Sequence, residues 1–240
     1  MQTNASLTSK AFLAAIVLSG LLVIANALLH ASSLDYGRFV SFLLVTCLAG
    51  RLQVKLPGLT GRMSVNLPYI LVAAANLSMA EAVVVACSST LAQCLPGGAR
   101  KFNPLQATFN VCNMALAVGA TRLVFGQASI QSGISAHALL FSLATAAFFL
   151  INTIPVAIII ALTERKNPVN IWGNMFQLSF PYFVLSGAVA GLVVATSARI
   201  DWEAPLLILP VMVGIFHSYK RYFRSAPEGA PLPLAKEAAA

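Results

Sequence analysis

Charge is what this sequence lacks most. Only 9% of its 240 residues are Asp, Glu, Lys or Arg, against about 25% in a soluble domain. Cysteine is also scarce: Cys47, Cys87, Cys94 and Cys112 are the full set, all within apolar stretches and none in a C-x-x-C pair. They read as small buried thiols, which excludes a disulfide scaffold and a thiolate metal site. The seven acidic residues lie in loops, in the tail or at the edges of apolar runs. The intramembrane carboxylate that ion coupling uses, and the carboxylate pair that hydrolysis needs, are therefore missing. His30, His137 and His217 stand far apart, and there is no Gly-rich phosphate loop. No catalytic residue, metal site or cofactor is expected, and the chain reads as non-enzymatic.

What is abundant is hydrocarbon. Hydrophobic residues make up 58% of the chain and mean hydropathy is +0.82. A soluble globular domain and a disordered chain are excluded. Eight apolar segments stand out, at 11–29, 36–50, 63–78, 80–96, 104–125, 136–162, 169–197 and 204–219. They are long and continuous rather than alternating, so the expected class is all-α, a polytopic helical membrane protein rather than a β-barrel. Within them lie only Arg38, Glu81 and Arg122 as charges. Each sits near a segment end, where a charged head reaches the interface.

The net charge of +8 reports topology rather than nucleic-acid binding. With eight crossings and both termini inside, twelve lysines and arginines fall on the cytoplasmic side and Arg38, Arg122 and Arg199 on the other. Such asymmetry orients a membrane protein. The reading is therefore N-in/C-in with about eight transmembrane helices, in a bacterial inner membrane. Residues 63–96 are the tight place. Their 34 residues give about 51 Å of helix, short of two crossings of a core about 30 Å thick. Two spans across a thinned bilayer are expected there, with a partly re-entrant pair as the alternative. Lys10, an apolar run and small residues near Ala25–Ala27 outline a signal peptide, but the run exceeds the usual 7–15 residues, so an uncleaved first span is expected. Residues 1–224 read as one transmembrane domain and 225–240, rich in Ala and Pro, as a disordered cytoplasmic tail.

Two polar stripes carry the functional information. Asn103, Gln106, Asn110 and Asn113 recur at intervals of three, four and three, which places them within a sector of about 80° on one helix. Asn66, Tyr69 and Asn76 follow the same rhythm, and Ser89 and Gln93 share a face of the next segment. Amides are costly in lipid, so these faces turn inward. They serve either as interhelical hydrogen-bond glue, worth about 0.6 kcal/mol per contact, or as the wall of a ligand pocket. Pro68, Pro155, Pro181 and Pro210 interrupt segments at depth, and each frees a backbone carbonyl. Pro155 follows Asn152, which is placed to close a cavity. Gly187 and Gly191 form a small-xxx-small face suited to helix packing, and Trp172 and Trp202 sit at segment edges as interface anchors do.

From Arg51 to Phe125 the chain shows a run of scattered marks: Arg51-Leu-Gln-Val-Lys-Leu-Pro57, Ser64 to Pro68, a pair of short apolar helices to Pro96, then Phe102-Asn103 and Phe109-Asn110. This third of the chain resembles the bacterial integral-membrane sensor domains that precede diguanylate cyclase, phosphodiesterase or histidine kinase modules. More distantly it is similar to the substrate-binding subunits of energy-coupling-factor vitamin transporters. The resemblance implies a ligand-binding helical bundle working with a signalling or transporter partner protein in trans. A sensor of that type continues into a signalling domain, whereas the chain stops sixteen residues after Arg224, and the transporter subunits usually have six helices.

The expected function is a non-enzymatic membrane protein that binds a small neutral or zwitterionic ligand, sensor-like or transporter-subunit-like. A secondary transporter is the alternative, and a membrane enzyme a distant third. The expected ligand-binding residues are Asn66, Tyr69, Gln93, Gln106, Asn110, Asn113 and Asn152. The expected partners are the lipid bilayer, the small ligand and that partner protein, with no nucleic acid.

Overall fold

A computed structural model describes residues 7–31, 35–55, 62–95, 102–126, 134–196 and 203–225. Eight helices and one hairpin account for them. In chain order they are α1 (Leu7–Leu29), α2 (Tyr36–Arg51), strands β1 (Gln53–Lys55) and β2 (Arg62–Ser64), α3 (Leu67–Asn76), α4 (Met79–Cys94), α5 (Pro104–Gly126), α6 (Ile134–Glu164), α7 (Pro168–Thr196) and α8 (Ala204–Ser225). The helices coincide with the eight apolar segments to within a few residues, the third and eighth apart. α1, α5, α6 and α7 are long and apolar enough to cross a membrane. Of the expected tail 225–240, Ser225 closes α8 and 226–240 lie outside the described residues, as do Arg199 and Trp202.

Helices α5, α6 and α7, consecutive in the chain, alternate in direction. Asn113 of α5 meets Asn152 of α6 and Phe125 meets Phe141, so that pair is antiparallel. Trp172 of α7 meets Thr153 of α6 while Gly187 lies against Thr145, which is again antiparallel. α1 runs parallel to α5, with Gly20 against Cys112 and Val23 against Gly119. The small-xxx-small face is thus used within the chain: Gly187 packs on Thr145 and Gly191 on Phe141. Lipid tails are as apolar as leucine, so close packing of this kind, not exclusion of water, holds such helices together.

The short helix α3 occupies the centre. Its residues Leu67 to Ala74 are all buried, and Tyr69, Ile70, Leu71 and Val72 are sealed among Phe42 of α2, Val83 of α4, Val118 of α5, Phe148 of α6 and Met212 of α8. Ten residues of helix rise about 15 Å, half of a bilayer core. Local sequence explains the length. Ser78 and Glu81 form a reciprocal capping box, Ser78 Oγ accepting from Glu81 N–H and Glu81 Oε2 accepting from Ser78 N–H at 2.8 Å. This starts α4 afresh and ends α3 two residues earlier. Pro68 does not interrupt a helix, contrary to the sequence reading. It stands in the first turn of α3, where a missing N–H leaves no gap in the ladder.

The carboxyl end of α3 has an unusual clamp. Arg38 of α2 donates to the carbonyl of Asn76 at 2.8 Å, and Arg122 of α5 donates to that of Ala74 at 2.9 Å. The last carbonyls of a helix have no intrahelical donors and carry the negative end of its dipole, which a guanidinium complements twice over. These arginines therefore hold a buried helix end rather than reaching out to the interface. Replacing Arg122 by methionine keeps the stem but orphans the fully buried Ala74 carbonyl, at about 1–3 kcal/mol. Thermal unfolding in detergent should show a lower Tm for Arg122→Met; an unchanged Tm would mean the clamp carries no load.

Candidate functional site

At the opposite, amino-terminal end of α3 the bundle opens into a cavity of about 610 Å³. The hairpin, α3, α4, α5, α6 and α7 all contribute. Each helix presents the same end: the amino-terminal halves of α3, α5 and α7 and the carboxyl-terminal halves of α4 and α6. This follows from the alternation of direction, because Leu52 after α2, Asn66 before α3, Leu95 after α4, Asn103 before α5 and residues 165–167 between α6 and α7 all lie at that end.

The wall is built of amides. Gln93 comes from the last turn of α4, Gln106, Asn110 and Asn113 from one face of α5, and Asn152 from α6. Asn66 joins them just before α3. Six of the seven residues singled out from the sequence thus line one cavity. The seventh, Tyr69, is fully buried but is not among the lining residues. At about 100° per residue, Asn66 and Ile70 share a face of α3, whereas Tyr69 lies a full residue step round from Ile70. Its hydroxyl has no hydrogen-bond partner among the described residues. Two other stripe members do local work. Asn103 accepts from the N–H of Gln106 and so begins α5, and Asn76 donates back to the carbonyl of Val72.

Four further amides escaped the sequence reading: Gln53 on β1, and Asn167, Asn170 and Asn174 at the start of α7. The last three follow the same three-and-four spacing as the α5 stripe, a signal that was open to inspection. Gln53 reaches the site through the hairpin, whose register pairs Gln53 with Ser64, and donates to the carbonyl of Gln93 at 2.9 Å.

Some of these amides also tie neighbouring elements together. Ser64 Oγ donates to Asn66 Oδ1 and Asn66 Nδ2 to Ser89 Oγ, both at 2.7 Å, and Ser89 Oγ then donates to the carbonyl of Thr46. That chain ties the hairpin, α4 and α2 together. Asn113 Nδ2 donates to the main-chain carbonyl of Asn152 at 3.0 Å. A carbonyl only accepts, so this bond fixes which amide atom points where. Pro155 opens the backbone ladder of α6 close by, having no N–H to offer Ile151. The other amide atom, Asn113 Oδ1, is buried with no partner among the described residues, although Asn113 is only 2% exposed.

The cavity grades from apolar to polar. Ile70, Met114, Phe148, Tyr182 and Phe183 form its deep floor. The hydroxyl of Tyr182 accepts the N–H of Leu67 at 3.3 Å, fixing the start of α3 beside that floor. Behind α6 and α7, Trp172 Nε1 donates to Thr153 Oγ1 at 3.1 Å and its ring packs on Phe149 and Phe176. Trp172 thus pairs α7 with α6. Towards the rim, Gln106, Asn167, Asn170 and Asn174 are exposed. There Lys166 and Glu164 pair at 2.7 Å, and these are the only charged residues among the described lining. Both are exposed, so the pair adds little stability, but it leaves the described lining formally neutral. No cluster of His, Cys, Asp or Glu able to hold a metal occurs among the described residues.

Such a bundle, apolar outside and amide-lined within, is what the family comparison bears on. The model of the MASE9 family matches residues 4–224. The chain belongs to MASE9. MASE9 is a family of membrane-associated sensor domains, so this is a membrane protein with a sensor-type helical domain, and the match runs from before α1 through nearly all of α8. No curated protein and no solved structure matches the chain. Within this MASE9 domain the cavity is the candidate sensing site.

Proposed function

We propose that this MASE9 domain is a non-enzymatic receptor in the bacterial inner membrane that binds a small, uncharged or zwitterionic organic solute in the amide-lined cavity and reports it to a signalling partner protein. The observation that carries the reading is the convergence of six amide side chains, those of Asn66, Gln93, Gln106, Asn110, Asn113 and Asn152, on one cavity, with Asn113 Oδ1 buried and without a partner among the described residues. A buried polar atom without a partner costs about 1–3 kcal/mol, and a ligand N–H or O–H removes that cost. The volume lies within the range of about 300–1,000 Å³ typical of ligand pockets. A strongly anionic ligand is disfavoured, since the one lysine of the described lining is already paired.

The topology proposed with it has eight crossings and both termini in the cytoplasm. The charge asymmetry supports it, with the short helices α3 and α4 making their two crossings where the bilayer is thinned. Native mass spectrometry of protein released gently into detergent tests the receptor reading. The expected result is a protein peak carrying one small organic molecule. A protein that carries detergent or phospholipid alone, and gains no Tm in a screen of uncharged solutes, sinks it.

A further inference from the structure

The cavity is not central along the bundle axis. Its deep residues, among them Asn113 and Phe148, lie in the bundle interior, and its exposed residues, Gln106 and Asn170 among them, lie at one end. At that end the chain positions Arg51, Lys55, Arg62, Arg165 and Lys166 flank the opening. At the far end of α3 stand Arg38 and Arg122, and both are spent on helix carbonyls. Lysine and arginine positions are therefore more numerous at the end where the cavity opens, where Arg51 in turn donates to the carbonyls of Ala92 and Leu95. Basic flanks mark the cytoplasmic face of a membrane protein, because lysine and arginine are retained there during insertion.

Among the described residues the far end is closed by packing. α3 closes it with Tyr69, Leu71, Val72 and Ala73, each fully buried, and the two arginines brace that plug. A solute on the outer side would have to displace the centre of the bundle to reach Asn113.

We infer that the cavity is loaded from the cytoplasm, so that the domain reads an intracellular solute rather than one outside the cell, and that the solute enters with an apolar body carrying an N–H or O–H donor towards Asn113 and leaves its more polar end among the rim amides. This rests on the ligand-binding reading above and adds the face and the orientation. An amphipathic shape follows from the graded wall, since amides at the rim and aromatic rings below satisfy one polar end and one apolar body.

Cys94 is a built-in reporter, because it lines the cavity, half-buried, with its sulfur 3.6 Å from Asn110 Nδ2. Inside-out and right-side-out membrane vesicles holding the full chain are treated with a small, charged, membrane-impermeant methanethiosulfonate, and the modified cysteine is located by peptide mass spectrometry. Cys94 is expected to react at least tenfold faster in inside-out vesicles, and the signal to vanish in Cys94→Ser. N170C at the exposed rim should behave the same way and react faster still. Tyr36, 72% exposed at the other end of the bundle, gives the opposite pattern as Y36C. Reaction of Cys94 from the outer face, at equal rates from both faces, or from neither face overturns the inference. If Cys94 and Y36C exchange faces, the domain is inserted the other way and cytoplasmic loading is wrong, while ligand binding by the cavity stands. Failure of the binding reading itself has a separate signature, ligand retention that is indifferent to Asn113.

Discussion

Replacing Asn113 by leucine is expected to weaken ligand binding by roughly ten- to hundredfold while the protein still inserts and folds. The magnitude follows from one buried donor on the ligand losing its acceptor, about 1–3 kcal/mol, at about 1.4 kcal/mol per tenfold. Leucine also drops the bond from Nδ2 to the Asn152 carbonyl, so part of any loss of stability belongs to glue rather than to the site. Asn110→Leu separates the two. Among the described residues Asn110 donates only to the sulfur of Cys94 at 3.6 Å, a weak bond whose loss costs little packing, yet its amide lines the same wall. Both variants should lose the bound solute in native mass spectrometry, with Asn113→Leu showing the larger drop in Tm. Normal retention by both would mean that the amide stripe is structural and that the pocket assignment is wrong.

The largest effect on stability is expected at Gly20. A Cβ there would stand 2.5 Å from the Cβ and the carbonyl oxygen of Cys112 and 2.6 Å from its Cα. Two of those three atoms are backbone of α5, so no side-chain rotation relieves the contact. Gly20→Ala must push α1 away from α5, and overpacking of this kind costs about 1–3 kcal/mol or more. The strain lands next to Asn113, so ligand affinity should fall together with Tm. Gly214→Ala is the matched control. It also lies within a helix but has nothing within 4 Å of the added carbon, and the lower backbone entropy of alanine should make it neutral or stabilising by about 0.5–1 kcal/mol. Equal melting curves for the two variants would show that the α1–α5 contact is looser than its geometry.

These two effects have different visibility in the chain. The amides of α5 were legible because a single helix repeats every 3.6 residues, and three of them fall on one face whatever surrounds it. The same rhythm at Asn167, Asn170 and Asn174 was equally legible, but it straddles the start of a segment, where polar residues look like loop. Gly20, by contrast, is one small residue in a run of apolar ones. Nothing local distinguishes it from Gly214, and only its neighbour across the bundle makes it irreplaceable.

Residues 63–96 divide the matter most sharply. Hydropathy alone reads them as two crossings, because apolarity is continuous through Ala75 and Leu77. The Ser78-Met-Ala-Glu81 pattern was a local sign that a helix begins there, and it accounts for the shortness of α3. What no local sign supplies is why a half-length helix is tolerated in the middle of a membrane protein. Its stray carbonyls must be met by Arg38 and Arg122, which are 84 residues apart in sequence and come together only when α2 and α5 pack on either side of it.

By itself, then, the sequence determined the membrane class, the eight apolar segments, the charge asymmetry and the polar face of α5. Each of these depends on solvation or on helical period, which act over a turn or a span and need no partner. The tertiary structure decided which faces meet: that Gln53 and α7 complete the wall, that Tyr69 turns aside from it, and that Asn113 spends one amide atom on Asn152 while the other is buried without a partner among the described residues. Those outcomes depend on the pairing of residues tens of positions apart, and in lipid, where apolar surfaces do not discriminate between partners, that pairing is set by small-residue contacts and hydrogen bonds that exist only once the helices have packed.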